Sequence, residues 1–312
     1  MTTTVPSLSP LGREEIASSG SRITGFIRST PVVDLGGVIG DYDLVLKLEH
    51  LQVTGSFKAR GAFSALTAMT GNEGVVAASG GNFGAAVAYA ASRLGRSATI
   101  FVPETSPSEK IERIRSHGAE VRVIPGYYDE AREAAESFSR DREATLLHAY
   151  DQQHVVAGQG TLAQELDLQV DADVVLVAVG GGGLIAGVAS WYQRDARVVA
   201  VEPEMCPGLH RALEAGRPVE VDVGGVAASS LGSRVIGDHA WRARPLIHES
   251  HLVSEDAIVE AQRWLWKEIR VAVEPAAATT VAALRSNVFV PEEGARVVAV
   301  LSGGNVDPGS VG

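Results

Sequence analysis

The residues with the clearest chemical potential are a lysine and two copies of one short turn. Lys58 follows Thr-Gly-Ser-Phe where a helix is predicted to begin. The helix dipole and burial would both favour its neutral amine, the form that attacks carbonyl groups. The tetrapeptide Ser-Gly-Gly-Asn follows one apolar run at 79–82 and another at 302–305. Because the carboxyl ends of parallel strands face a common crevice, we expect both turns to border one site.

The two copies of the turn predict different ligand atoms. The first opens an alanine-rich helix predicted over residues 83–94, so the N–H groups around Gly80 lack helical acceptors and can bind a carboxylate. The amide of Asn82 can donate to a phenolate-type oxygen. The second copy places the hydroxyl of Ser302 at a strand end, where it is a neutral partner suited to a ring nitrogen.

Four consecutive glycines, residues 180–183, follow an apolar run and lead into a helical pattern. Bare backbone lets several N–H groups converge on one anion, so the run predicts a phosphate site. A dinucleotide is one candidate ligand, because Gly181, Gly183 and Ala186 fit G-x-G-x-x-A and Glu202 follows at a spacing typical of a ribose partner. A monophosphate on a small cofactor is the other, and it needs the glycines alone.

Apolar runs alternate with helical patterns along most of the chain, which predicts parallel sheets. The predicted buried strands are residues 75–78, 98–102, 121–124, 174–179, 198–201 and 297–301. A helix is predicted to begin near Ser106 and Pro107, to bury Ile111 and Ile114 and to end at Gly118. With 312 residues and no linker, the chain is predicted to form two lobes and to cross between them more than once.

Composition argues against several classes of partner. The formal net charge is −11 and Lys/Arg residues are not clustered, so we expect neither nucleic acid nor an anionic membrane surface as a partner. The first ten residues lack a basic flank with an apolar core, and no run approaches bilayer-spanning length, which predicts a cytoplasmic protein. The single cysteine, Cys206, cannot form an internal disulfide.

Together these motifs resemble the fold-type II pyridoxal-phosphate enzymes, specifically the serine/threonine dehydratase (ammonia-lyase) and serine racemase group. The resemblance extends from about residue 27 to residue 305. The segments that carry it are TGSFKARG at 54–61, SGGN at 79–82, AGQGT at 157–161, GGGG at 180–183, VEP at 201–203, EPA at 274–276 and LSGGN at 301–305.

The resemblance implies the fold class and the domain organisation. The chain would be an α/β protein with two three-layer α/β/α domains, parallel or mostly parallel sheets and pyridoxal 5′-phosphate in the cleft between the domains, as in the tryptophan synthase beta-like fold. The large cofactor-binding domain would comprise residues 1–70 and 149–312, and the small domain residues 71–148. A homodimer is also implied.

The resemblance also assigns roles to individual residues. Lys58 would hold the cofactor as a Schiff base and remove the substrate's α-proton, with Phe57 near the ring. Asn82 would contact the ring oxygen and Ser302 the pyridine nitrogen. The phosphate would be bound by Gly180, Gly181, Gly182, Gly183 and the Leu184 amide. The substrate carboxylate would be bound by Ser79, Gly80, Gly81, Asn82 and Phe83.

The implied activity is β-elimination, the dehydration and deamination of L-threonine or L-serine to a 2-oxo acid and ammonia. Alternatives within the fold are a bulkier or acidic 3-hydroxy substrate (phenylserine, 3-hydroxyaspartate), racemisation and β-replacement. Gly80 replaces the second serine of the racemases and has no proton to give, which disfavours racemisation. Phe83 replaces a histidine and favours a larger or more apolar side chain. An NAD-dependent oxidoreductase would leave Lys58 without a role, and the intact lysine also argues against a non-catalytic binding protein.

The racemase group also has a divalent cation site, for Mg²⁺ or Ca²⁺. By the resemblance it would use Glu202, the backbone carbonyl of Cys206 and the residue at position 208. That residue is Gly208, so one carboxylate ligand is missing and cation binding is disfavoured.

Overall fold

A computed structural model describes residues 9–311. Residues 1–8 lie outside the described residues, as does residue 312. Residues 1–8 belong to the predicted large domain and to the N-terminal segment on which the cytoplasmic prediction partly rests. The strands are β1 (Val32–Asp34), β2 (Asp43–Lys47), β3 (Val75–Ala78), β4 (Ala98–Pro103), β5 (Glu120–Ile124), β6 (Thr145–Leu147), β7 (Val174–Ala178), β8 (Arg197–Pro203), β9 (Glu249–Val253) and β10 (Arg296–Val300).

Helices connect most of these strands. They are α1 (Arg13–Ile23), α2 (Lys58–Ala68), α3 (Asn82–Arg93), α4 (Ser108–Ser116), α5 (Tyr128–Arg142), α6 (Gln153–Asp167), α7 (Gly183–Tyr192), α8 (Gly208–Ala215), α9 (Ala228–Leu231), α10 (Asp238–Ala243), α11 (Glu255–Ile269) and α12 (Pro275–Arg285). None of the helices in residues 9–311 has both the length and the apolar character needed to cross a membrane.

The strands form two sheets. The larger has the order β1-β2-β10-β7-β8-β9, in which only the β1–β2 pair is antiparallel. The smaller has the order β5-β4-β3-β6 and is wholly parallel. The predicted α/β fold with mostly parallel sheets is therefore confirmed. All strands of the smaller sheet fall within the predicted small domain, residues 71–148; the domain boundaries themselves stay a prediction.

Both faces of the larger sheet are covered by helices. Along β7, Val175 and Val177 pack in a core that includes residues of α6 and α7, whereas Val174 and Leu176 pack in a core that includes residues of α11 and α12. A strand buried on both faces contains consecutive apolar residues, which is why these strands appear as uninterrupted apolar runs. In parallel α/β sheets, ligands bind at the loops that follow the carboxyl ends of the strands.

A buried network of ion pairs holds the first turn of α2. Arg60 donates from Nε to Glu49 Oε2 at 2.8 Å and from Nη2 to Glu165 Oε2 at 2.9 Å. Lys47 Nζ also donates to Glu165, at 2.6 Å. Charges this deep are tolerated because each has a partner of opposite sign. The network therefore anchors the helix that begins with Lys58.

Removing one partner of this network should be strongly destabilising. We expect Arg60→Ala to lower the free energy of unfolding by about 3–5 kcal/mol, because it leaves the buried Glu49 charge uncompensated. Chemical denaturation measures the loss. The matched control is Arg211→Ala, which breaks the exposed Arg211–Glu214 pair and should cost at most about 1 kcal/mol. Equal losses in the two variants would contradict a special role for the buried network.

Candidate active site

Lys58 is the first residue of α2, and its side chain is half-buried. Nζ donates a hydrogen bond to the carbonyl of Ala149 at 3.0 Å. It lies 5.0 Å from the centroid of the Phe57 ring and 5.8 Å from that of Phe83. Burial lowers the pKa of Lys58 to about 8, although the Glu274 carboxylate acts in the opposite direction. Neutral amine is therefore present near neutral pH, as a nucleophile or general base requires.

The loop before Lys58 is paired with the second Ser-Gly-Gly-Asn turn. Ser56 forms an antiparallel bridge with Gly303. The Phe57 N–H donates to the Ser302 carbonyl at 3.1 Å. Backbone contacts with a distant part of the chain therefore fix where α2 begins and where the lysine side chain originates.

The two Ser-Gly-Gly-Asn turns meet through their asparagines. Asn305 Nδ2 donates to Asn82 Oδ1 at 2.7 Å. Asn82 Nδ2 donates to both carboxylate oxygens of Glu274, at 3.0 and 2.9 Å. The structure thus brings the two turns to one place. Since both ends of the Asn82 amide have protein partners, a hydrogen bond from Asn82 to a ligand oxygen would be shared with Glu274.

Glu274 is a site residue that the sequence analysis did not single out. Its side chain is nearly buried, and it also accepts hydrogen bonds from Ser230 Oγ and from the Asn305 N–H, each at 2.9 Å. These donors stabilise its negative charge beside Lys58. The only signal in the sequence was the Glu-Pro-Ala motif at 274–276, and an acidic residue before a proline is also an ordinary helix start.

The Ser302 hydroxyl has unused hydrogen-bonding capacity. The residue is 7% exposed, and its Oγ has no hydrogen-bond partner among residues 9–311. An unpaired hydroxyl on a nearly buried residue is available to a ligand. A ring nitrogen of a bound ligand would provide the missing partner.

Each glycine of the run at 180–183 is required by what surrounds it. A Cβ atom at Gly181 would overlap the ring of Tyr150. Gly182 has φ of +85°, and a Cβ there would overlap the Ala240 methyl group. At the two outer positions of the run, the added atom would lie within 2.8 Å of backbone atoms. Tyr150 is thus a supporting residue of this loop, which no motif in the sequence indicated.

The backbone donors of the glycine run are free. Gly182 immediately precedes α7, and the N–H groups of residues 180–185 donate to no acceptor within the described part of the chain. Such N–H groups at a helix N-terminus bind a phosphate. The dinucleotide interpretation also requires a free acid, but Glu202 accepts hydrogen bonds from the backbone instead. The geometry therefore favours a single phosphate.

The loop at 79–83 offers a second set of free donors. The N–H groups of Gly80, Asn82, Phe83 and Gly84 have no acceptor in residues 9–311. The Phe83 ring is buried in the core beneath the smaller sheet and borders Lys58, so these donors lie on the lysine side of the cleft. A small carboxylate beside the lysine can bind here.

Glu202 is engaged in capping a helix. Its Oε1 and Oε2 accept hydrogen bonds from the N–H groups of Leu209 and His210, both at 2.8 Å, at the start of α8. Burial raises the pKa of the Glu202 carboxyl to about 8, and the two N–H donors oppose this shift. The Cys206 thiol donates to the Gly224 carbonyl at 3.3 Å. Residues 9–311 contain no group of three or more His, Cys, Asp or Glu side chains that could hold a metal ion.

The pKa of Lys58 predicts how loading with an aldehyde cofactor depends on pH. Only the neutral amine attacks an aldehyde, so the rate at which the apoprotein combines with pyridoxal phosphate should rise about ten-fold per pH unit and level off near pH 8. Stopped-flow absorbance measures this rate. Glu274→Gln removes the carboxylate that raises the pKa, so its midpoint should move to lower pH. A midpoint near 10 in both proteins, the value of a solvated lysine, would contradict the lowered pKa of Lys58.

The chain is similar to several known proteins. Residues 23–303 match the family model described as pyridoxal-phosphate dependent enzyme. A biosynthetic L-threonine dehydratase of Haemophilus influenzae is 34% identical over 94% of this chain, which spans 59% of that protein's length. The crystal structure of a threonine deaminase from T.th. has a TM-score of 0.89 and 35% identity, covering 95% of this chain and 99% of that one. Maize serine racemase has a TM-score of 0.92 and 29% identity, covering 97% and 96%.

Proposed function

Because the chain belongs to the family of pyridoxal-phosphate dependent enzymes, we propose that it dehydrates and deaminates L-threonine or L-serine to a 2-oxo acid and ammonia. Similarity to an L-threonine dehydratase and to a threonine deaminase supports this substrate class. The observation that carries the proposal is the half-buried Lys58 amine, which lies 5.8 Å from the Phe83 ring, beside the free N–H groups of the loop at 79–83, and follows the segment that is paired with the Ser302 turn.

The residues present fit pyridoxal 5′-phosphate. The free N–H groups of residues 180–185 suit its phosphate, and a side chain at any of the four glycines would overlap neighbouring protein atoms and displace these N–H groups. The Lys58 amine suits its aldehyde, and the Ser302 hydroxyl suits its ring nitrogen. When bound, the cofactor supplies an aldehyde for amines and an aromatic ring that accepts electrons from the substrate's α-carbon.

Each part of the chain then has a defined task. The N–H groups of residues 80 and 82–84 hold the substrate carboxylate and so orient the α-carbon toward Lys58. Lys58 Nζ takes the α-proton as general base, and Ala149 accepts a hydrogen bond from the resulting ammonium group. Ser302 is neutral and gives no full proton to a ring nitrogen. Negative charge on a bound ring would therefore be stored only briefly, which would favour loss of the β-hydroxyl as water, with the proton supplied by the Lys58 ammonium group, over reprotonation of the α-carbon.

A substrate screen tests this function. The loaded enzyme is incubated with L-threonine, L-serine, phenylserine and 3-hydroxyaspartate, and 2-oxo acid and ammonia are quantified. We expect equal amounts of both products from L-threonine or L-serine. If only phenylserine or 3-hydroxyaspartate gave 2-oxo acid and ammonia, the elimination reaction would be supported but the proposed substrate side chain would be wrong. Inverted configuration or a substituted product without ammonia would contradict the proposal in favour of racemisation or β-replacement.

We do not expect this chain to use the divalent cation site that the resemblance implies. Both oxygens of Glu202 already accept N–H groups, and position 208 offers no side chain. We therefore expect turnover to change less than about two-fold with added Mg²⁺ or Ca²⁺ or with chelator. A several-fold loss with EDTA that Mg²⁺ or Ca²⁺ restores would contradict this expectation.

A homodimer is part of the same proposal and is supported by the family resemblance alone. Analytical ultracentrifugation at several protein concentrations tests it, and a single species with the mass of one chain would contradict it. A cytoplasmic location likewise stays a prediction.

A further inference from the structure

Ser106 lies against the loop at 79–83 although it belongs to a different segment, the connection between β4 and α4. A Cβ atom at Gly80 would overlap the Ser106 hydroxyl and lie 2.9 Å from Ser106 Cβ. The serine side chain therefore occupies the space that a side chain at position 80 would need. The Ser106 hydroxyl thus lies beside the loop at 79–83, although Ser106 belongs to another segment of the chain.

The Ser106 hydroxyl has no evident structural task. It is not the cap of α4, because that helix is preceded by Pro107 and has no side-chain cap hydrogen bond. Its Oγ has no hydrogen-bond partner within residues 9–311, whereas its N–H donates to the Pro103 carbonyl at 3.0 Å. The backbone thus holds this half-buried residue in place and leaves its hydroxyl available to a ligand.

The neighbouring donors indicate which ligand group the hydroxyl would meet. The N–H groups of residues 80 and 82–84 are free and together form an anion site. A hydroxyl next to Gly80 adds an O–H donor to that site, and hydrogen bonds to a charged oxygen are among the stronger ones. Its partner is therefore a negatively charged oxygen bound at this loop.

We propose that Ser106 is a substrate-binding residue that donates a hydrogen bond to the carboxylate of the amino-acid substrate. It supplies from a separate loop the hydroxyl that position 80 lacks. This inference rests on the proposed function, because it takes the ligand of the loop at 79–83 to be an amino acid. It also explains why residue 80 is a glycine, since the Ser106 side chain already fills the space.

The test uses the loaded enzyme and two small amines. L-alanine carries an amine and a carboxylate but no leaving group, and ethylamine carries the amine alone. Their Kd values are read from changes in the cofactor absorbance. Ser106→Ala should raise the Kd of L-alanine about ten-fold and leave that of ethylamine unchanged, because only L-alanine offers the charged acceptor. With a hydroxy amino acid, KM should rise by a similar factor while kcat changes less than about two-fold.

Two further variants separate substrate binding from a structural effect. Ser108→Ala removes a nearby exposed hydroxyl on α4 and should change neither Kd. The double variant Gly80→Ser with Ser106→Gly puts a hydroxyl back into the same space and should recover most of the lost affinity for L-alanine. Gly80→Ser alone crowds the retained serine and should weaken L-alanine binding.

The outcomes distinguish this inference from the proposed function. An unchanged Kd of L-alanine in Ser106→Ala, or an equal rise for ethylamine, would overturn the role of Ser106. If the parent enzyme binds L-alanine but releases no ammonia from any hydroxy amino acid, the proposed function is wrong. The Kd values of L-alanine in the parent and the variants would still test the role of Ser106. A parent enzyme whose cofactor absorbance does not respond to L-alanine would overturn the role of Ser106, whereas the substrate screen decides on the proposed function.

Discussion

Lys58→Ala is expected to abolish turnover and the visible absorbance of cofactor joined to the protein. The variant removes the amine that donates a hydrogen bond to the Ala149 carbonyl. It therefore removes both the covalent attachment and the general base. Proton transfer by a positioned base alone contributes about 10²–10⁴-fold, so kcat should fall at least about 10³-fold. Absorbance spectra and the 2-oxo acid assay measure the two losses.

The control for this variant is Lys267→Ala, which removes an exposed lysine on α11. It should retain both absorbance and turnover. Lys58→Ala leaves the free N–H groups of residues 180–185 in place, so the variant should still bind pyridoxal phosphate. This binding should be reversible, and dialysis should remove the cofactor. A Lys58→Ala protein that keeps dialysis-resistant absorbance would show that a different lysine carries the cofactor.

Gly182→Ala is expected to lower the affinity for pyridoxal phosphate at least about 100-fold. Its φ of +85° is unfavourable for alanine, which costs about 1 kcal/mol. The added methyl group would also overlap Ala240 and lie 2.7 Å from Ile236 Cδ1, and overpacking of this kind costs about 1–3 kcal/mol more. The loop can relieve this strain only by moving the N–H groups that hold the phosphate. Fluorescence titration of the apoprotein measures the affinity.

Gly216→Ala is the matched control, because that glycine also has positive φ but a Cβ there meets no atom within 4 Å. Both variants share the backbone strain, and only Gly182→Ala disturbs the glycine run. Gly216→Ala should lose a little stability and bind pyridoxal phosphate normally. Equal affinities in the two variants would contradict the assignment of the phosphate to residues 180–185.

The central strands could be predicted from the sequence because their surroundings are apolar on both faces. The runs at 75–78 and 174–179 contain only apolar residues, and both became strands of parallel sheets. The predicted helix near Ser106 forms as α4, with its N-terminus at Ser108. In these segments the local pattern alone decides the structure.

The strands that were missed depend on partners elsewhere in the chain. β2 ends in the buried Lys47, whose charge is tolerated only because Glu165 of α6 lies 2.6 Å away. β9 begins with Glu249, which forms an ion pair with Arg197 of β8. A charged residue in a short segment weakens the strand pattern, and the compensating charge cannot be located from sequence alone.

The same limitation applies to the candidate site. The lysine, the glycines and both turns belong to short motifs and could be found in the sequence. Glu274 acts through Asn82, which is 192 residues away in the chain. Ser106 matters only because its hydroxyl lies beside Gly80. Such roles arise from contacts between separate elements, which spacing along one element does not reveal.

The pairing of the lysine loop with the second turn has a consequence for biosynthesis. Asn305 Nδ2 donates to the Thr54 carbonyl at 2.8 Å, a contact that spans 251 positions of the chain. While the ribosome is still making the polypeptide, the strands of the smaller sheet can pair, but the segment before Lys58 lacks the contacts that residues 302–305 supply. The full set of contacts that positions the start of α2 can therefore form only after translation has passed Asn305.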